Sequence, residues 1–327
     1  MTNLEAEIRS GIDYLANFDP DKTKRFLSNI ETPVLVGAMG SSYYLPAGRA
    51  NSIIEKNETR SKLKFIFASE AYAEKERDFK SLVLISNSGQ TREIINLAQQ
   101  FPKDKVYAVT SNEKSELAAC ANKVYRLMSG KEKAVAATKS IIEQSILCEN
   151  LVRQIEEKPL LNGTQLREVA SAMNNNFTCE IDSKLLILIS GARTVYFAGG
   201  SCGIGEEVSL KFTELAKKKA KFIPGTQILH GPEEVIEKGD VVFLFFANKY
   251  KKYFDRFKQM KEKTGCYFVS VGEKCNFADF EVDIELLCGF KPYCILAYFW
   301  NILTRFALAK GYSLDKGEKI SKVGVSV

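Results

Sequence analysis

The chain has 327 residues, of which 45% are hydrophobic and 26% charged, enough for one large or two medium domains with a sizeable core. Apolar runs such as Val241 to Ala247 fall far short of the ~20 residues that cross a bilayer, so no membrane partner is expected. Lys and Arg outnumber Asp and Glu by 46 to 40, and the resulting charge of +6 suits an anionic ligand without forming the arginine-rich stripe that would track a nucleic acid.

Residues 1–30 read as a helix that packs on the domains. Glu5, Glu7 and Arg9 stand there where a secretory signal would need apolar residues, so a cytoplasmic location is expected. Short β-branched runs then alternate with longer amphipathic stretches, the pattern of a parallel sheet covered by helices. Strands are expected at Val34–Val36, Lys64–Phe67, Ser81–Ile85 and Val106–Thr110, and again at Thr194–Phe197, Lys219–Phe222, Asp240–Phe245 and Cys266–Val271. The two sets of four suggest a tandem duplication. The run from Val34 through Gly40-Ser41-Ser42 matches the run from Val195 through Ser201-Cys202-Gly203, each a strand entering a turn of small residues. A polar stretch from Arg153 to Gln165, containing Pro159 and Gly163, separates the halves. The expected division is 31–155 for the first domain, 156–180 for a linker and helix, and 181–327 for the second domain with its tail.

The 8 cysteines lack metal-ligand spacing and read as buried free thiols, and a single histidine, His230, leaves no set of His ligands; no metal and no cofactor are expected. Lys217, Lys218, Lys219 and Lys221 read as a solvated helix end.

Chemistry enters at Ser86-Asn87-Ser88-Gly89-Gln90-Thr91, which follows a buried strand and precedes an amphipathic helix. One serine before a helix is an ordinary cap. Three hydroxyls at S-x-S-x-x-T spacing, beside the loop amides of a helix start and at the carboxyl end of a parallel strand, make a cradle for a phosphomonoester. Gly40, Ser41 and Ser42, ending the first strand, are placed to add a second wall. Neither loop has the lysine of a nucleoside-triphosphate loop.

This segment resembles the S-x-S-G-x-T phosphate loop of sugar isomerase (SIS) domains. Val135-Ala136-Ala137-Thr138-Lys139 and His230-Gly231-Pro232 are similar, in the same order, to segments of the isomerase half of glucosamine-6-phosphate synthase. The resemblance implies an α/β fold of two tandem SIS domains, each a five-stranded parallel sheet flanked by helices in a flavodoxin-like, three-layer α/β/α arrangement. It also implies that Ser42, Ser86, Asn87, Ser88 and Thr91 hold a sugar 6-phosphate, with Val135 and Ala137 near the sugar. The synthases have serine where this chain has Ala137, so one contact is lost or moved to water.

Glu207, Lys211 and Glu214 fall at i, i+4 and i+7 on one face of the helix after Gly199, Gly200 and Gly203. By spacing alone this is an exposed ion-pair ladder, but the glycine turn before it lets a ligand approach. The resemblance assigns Glu214 the proton transfer between C1 and C2, with Lys211 on the same face, and a shuttle of this kind works best where burial raises a carboxylate toward neutrality. The resemblance implies that His230, an imidazole suited to proton transfer, opens the sugar ring and reaches the neighbouring subunit's site, hence a homodimer. Lys322, in the C-terminal tail, matches a lysine that contacts the open sugar, although Gly317-Glu318 replaces the Pro-Arg before it in the synthases.

With these residues and Thr at position 2 rather than a glutaminase cysteine, the expected reaction is release of ammonia: a glucosamine-6-phosphate deaminase yielding fructose 6-phosphate. The alternatives are a fructosamine-6-phosphate deglycase, a galactosamine-6-phosphate deaminase/isomerase and, in another class, a non-catalytic sugar-phosphate sensor.

Overall fold

The computed structural model describes residues 1–319, so Lys322 lies outside the described residues. The N-terminal segment is two helices rather than one. Thr2 and Glu5 close a capping box at the start of α1 (Asn3–Ala16). Asp19 then accepts hydrogen bonds from the amides of Asp21 and Lys22 and, with Pro20 at the first helical position, opens α2 (Pro20–Leu27).

The chain divides into two compact units, Met1–Ala170 with the segment beginning at Asp315, and Ser171–Leu314. The division falls inside a helix rather than in the polar stretch before it, and Asp315 returns to the first unit because its carboxylate accepts from the amides of Asn3 and Leu4.

The first unit contains β1 (Val34–Ala38), α3 (Ser41–Ser52), α4 (Asn57–Lys62), β2 (Leu63–Phe67), β3 (Ser81–Ile85), α5 (Arg92–Ala98), β4 (Val106–Thr110), α6 (Glu116–Cys120), β5 (Lys123–Arg126) and α7 (Lys139–Ile155). Its five strands are all parallel, in the order β2-β1-β3-β4-β5. Alternation along each strand makes three layers. Val34, Val36, Val83 and Ile85 face one side, where Ala50 of α3 and Leu147 and Leu151 of α7 pack. Leu35, Leu82 and Leu84 face the other, against Ile94 and Leu97 of α5 and Leu117 of α6.

Through α8 (Gly163–Thr178) and α9 (Ser183–Gly191) the chain reaches β6 (Thr194–Gly199), α10 (Ile204–Leu215), β7 (Lys219–Pro224), β8 (Val241–Phe245), α11 (Phe254–Thr264), β9 (Tyr267–Val271), β10 (Phe280–Val282) and α12 (Lys291–Ala309). The order β10-β9-β8-β6-β7 repeats that of the first sheet, again all parallel. One face buries Tyr196, Val242 and Leu244 against Phe257 and Met260 of α11. The other packs Phe197, Phe243 and Phe245 against Phe212 of α10 and Phe299 of α12, with ring centroids 5.1–6.2 Å apart. Each such ring contributes ~1.5–3 kcal/mol by burial.

All eight expected strands are present, and each sheet gains the short fifth edge strand that the motif resemblance implied but no apolar run announced. The lysine run corrects the expectation of a solvated helix end at Lys218. Its ammonium donates to the carbonyls of Ser190 (2.7 Å) and Ala192 (2.6 Å), closing the end of α9, while Lys219 and Lys221 project from edge strand β7.

Candidate active site

In a sheet of order 2-1-3-4-5 the crevice opens between the carboxyl ends of β1 and β3, where the crossovers leave in opposite directions. Both expected phosphate segments lie there, since β1 runs into Gly40-Ser41-Ser42 and β3 into Ser86–Thr91, and Ala38 pairs with Ile85 at the strand ends. Gly40 (φ 52°) turns the chain into α3, bringing Ser41 and Ser42 to the first helical turn, with Ser41 nearly buried and Ser42 half-buried. Gly89 (φ 66°) has no room for a side chain, because a Cβ would stand 2.2 Å from Ser115 Oγ.

The hydroxyls of the loop shape it from within. Ser86 Oγ accepts from the Gly89 amide (3.1 Å) and is hydrogen-bonded to Thr91 Oγ1 (2.9 Å); Ser88 Oγ accepts from the Gln90 amide (3.2 Å). Thr91 is the N-cap of α5, but its side chain makes no capping bond. Asn87 is anchored at both ends. Its carbonyl takes the Ser111 amide and the hydroxyls of Ser111 and Thr110, and its Nδ2 donates to Glu132 Oε2 at 2.9 Å.

Val135 and Ala137 are half-buried and alternate with the fully buried Ala134, Ala136 and Thr138. Two buried carboxylates that motif reading missed hold this segment. Glu132 (2% exposed) accepts from the amides of Thr138 and Ser140 and the Ser140 hydroxyl, and Glu7 of α1 accepts from the amides of Lys133 and Ala134. A signal was available for Glu7, which shares the apolar face of α1 with Leu4, Ile8 and Gly11, a place where a carboxylate needs backbone partners; Glu132, flanked by Lys131 and Lys133, gave none.

In the second unit, Gly199 (φ 93°) bonds through its carbonyl to the Gly225 amide at 2.7 Å, and Gly203 (φ 83°) is the N-cap of α10. A Cβ on Gly199 would meet the Phe245 carbonyl at 2.2 Å, so glycine is required for this tight entry. The face that spacing alone would make an exposed ladder is buried. Lys211 is 1% exposed and Glu207 fully buried, with Lys211 Nζ 3.3 Å from Glu207 Oε1 and 2.8 Å from Glu214 Oε2. Glu214 keeps 18% of its side chain open. Burial alone would lower the Lys211 pKa, but the charges of Glu207 and Glu214 outweigh it and raise it, so the ammonium persists at neutral pH. The setting of Glu214 thus differs from an apolar pocket: its carboxylate abuts a buried cation.

His230 ends the short 3-10 turn Gln227–Leu229 and is exposed. Among the described residues no hydrogen bond or ion pair joins it to Glu207, Lys211 or Glu214. No cluster of potential metal ligands occurs among the described residues.

No family model matches the chain. Among curated proteins it is 26% identical over 316 residues to the glutamine–fructose-6-phosphate aminotransferase (isomerizing) of Sulfurisphaera tokodaii, covering 92% of this chain and 51% of that one. The chain spans about half the length of the curated relatives it matches. Among solved structures it is similar to tagatose-6-phosphate ketose/aldose isomerase from Escherichia coli (TM-score 0.76, 19% identity, 98% of this chain and 97% of that one). It is also similar to glucosamine-6-phosphate deaminase from Thermotoga maritima (TM-score 0.72, 20% identity, 98% and 99%). The fold is that of these SIS proteins, as the motifs implied.

Proposed function

We propose that this chain, with the fold of double-SIS sugar-phosphate enzymes, is a glucosamine-6-phosphate deaminase that converts glucosamine 6-phosphate and water to fructose 6-phosphate and ammonia. The observation that carries the reading is the Glu207–Lys211–Glu214 trio. A surface ladder would be solvated throughout, whereas here one carboxylate and the ammonium are buried and only Glu214 faces outward. Holding a charged triad in that state is costly for the fold and adds nothing to phosphate binding, which favours an enzyme over a sensor.

In this mechanism the Ser86–Thr91 loop takes the phosphate through hydroxyls and amides, and His230 assists ring opening. Glu214 removes the C2 proton of the open aldehyde, leaving an enediol-like enolamine, and returns the proton to C1. The product is the C2 imine of fructose 6-phosphate. Water adds at C2 and the C–N bond breaks, releasing ammonia and leaving the ketone. Lys211, pinned by Glu207, fixes the orientation of the Glu214 carboxylate. His230 belongs to a homodimer in this reading, and Lys322 contacts the open sugar. The name of the Thermotoga maritima neighbour supports the reaction, and those of the curated relatives support the class of aminosugar-phosphate chemistry.

Separate incubation with glucosamine 6-phosphate, galactosamine 6-phosphate and fructoselysine 6-phosphate, with ammonia and sugar product measured, tests the substrate. Glu214→Gln should lower kcat by ~10²–10⁴-fold, the usual loss for a general base, and abolish exchange of the C2 hydrogen with deuterated water while sugar-phosphate binding persists. Wild-type protein that binds these compounds without exchange or ammonia release would leave the sensor.

A further inference from the structure

The phosphate loop and the segment containing Val135 and Ala137 are far apart in sequence, yet one side chain joins them. Glu132 Oε1 accepts from the Thr138 amide at 2.7 Å and the Ser140 amide at 3.2 Å. Its Oε2 accepts from the Ser140 hydroxyl and from Asn87 Nδ2, both at 2.9 Å. The carboxylate is 2% exposed, and Ser140 and Thr138 are fully buried. Charge-assisted bonds of this length are the strong kind, and a buried carboxylate with several donors holds its neighbours in a single geometry. Asn87 has little freedom of its own, since its carbonyl is held by Thr110 and Ser111. The remaining freedom of its side chain is what Glu132 removes.

We propose that Glu132 is a positioning residue that locks the sugar-facing segment Val135–Thr138 to the phosphate loop through Asn87, so that both ends of a sugar phosphate meet a preorganised surface. The role rests on the phosphate reading of Ser86–Thr91, and it concerns binding rather than proton transfer. Ordering both segments before the ligand arrives removes a cost that binding would otherwise carry.

Calorimetric titration with glucose 6-phosphate and, separately, inorganic phosphate tests this on the full chain. In Glu132→Gln one oxygen becomes a donor facing donors, so Kd for glucose 6-phosphate should rise ~10–100-fold with binding stoichiometry unchanged. A purely structural role would instead reduce the stoichiometry, as chains unfold, and leave Kd alone. Asn87→Ala combined with Glu132→Gln should weaken binding little beyond either alone, because both break one linkage. Should Glu132→Gln fail to fold, Ser140→Ala, which removes one donor from the same carboxylate, should raise Kd by ~3–10-fold. Unchanged Kd in a folded Glu132→Gln or Ser140→Ala protein, or fully additive losses in the double variant, would overturn the proposal. Wild-type protein that binds neither ligand would overturn the phosphate reading itself.

Discussion

Replacing Lys211 with methionine tests the central claim about α10, that its polar face is a buried charge cluster. The substitution nearly conserves volume, so packing loss is small, but it withdraws the cation that stands 2.8 Å from Glu214 and 3.3 Å from the fully buried Glu207. Removing one partner of a buried pair leaves an uncompensated charge, at a cost of about 3–5 kcal/mol, where an exposed ladder would lose about 0.3–0.5 kcal/mol. The single tryptophan, Trp300, lies buried in α12 of the same unit, so urea unfolding followed by its fluorescence reads this unit directly. The double variant Lys211→Met, Glu207→Gln should recover much of this penalty, because it also removes the buried charge that the single variant strands. A loss below ~1 kcal/mol, or no recovery in the double variant, would refute the reasoning and return the face to the class of solvated ladders.

The double variant Ser86→Ala, Thr91→Ala should raise KM for the phosphorylated sugar, by ~1–3 kcal/mol for each hydrogen bond lost to a charged phosphate, and a KM within twofold of wild type would show the phosphate site to be elsewhere. Glu156 gives a pH signature. Burial would raise its pKa, but the Lys56 amide, the Lys158 ammonium and the Glu55 amide outweigh it and bring it down to about 2. The folded pKa lies below the ~4.3 of an unfolded glutamate, so its stabilisation is present at neutral pH and is lost as pH falls from about 5 through 2. Glu156→Gln should therefore be less stable than wild type at pH 7 and converge with it near pH 2 in urea titrations followed by circular dichroism; parallel curves would contradict the assignment. Mixing inactive Glu214→Gln and His230→Asn proteins under subunit exchange should restore some activity, and verified heterodimers without activity would place His230 in its own subunit's site.

Much of the fold was legible because its signal is local. Buried parallel strands have few polar interruptions, so Ser81–Ile85 and Val106–Thr110 could be delimited from the sequence to the residue. Two of the four edge strands could not: Lys123–Arg126 and Phe280–Val282 are short and carry charged residues, and pairing with a neighbour rather than their own composition makes them strands. The loop hydroxyls and the spacing of Glu207, Lys211 and Glu214 were equally plain, since turn chemistry and helical periodicity are properties of consecutive residues.

Sequence alone determined which residues share a face; it left open what that face meets. Helical spacing sets Glu207, Lys211 and Glu214 in line whether the helix is solvated or covered, and only the packing of α10 against β7 and α12 decided that the lysine and one glutamate are inside. The same holds for Glu132. Donors from Asn87, Thr138 and Ser140 meet on its carboxylate, so its role exists only once the carboxyl end of β3 and the start of α7 have been folded against each other. The physical reason is that burial changes the energy of a charge by several kcal/mol while leaving its identity and spacing untouched, and burial is a property of the whole assembly of elements.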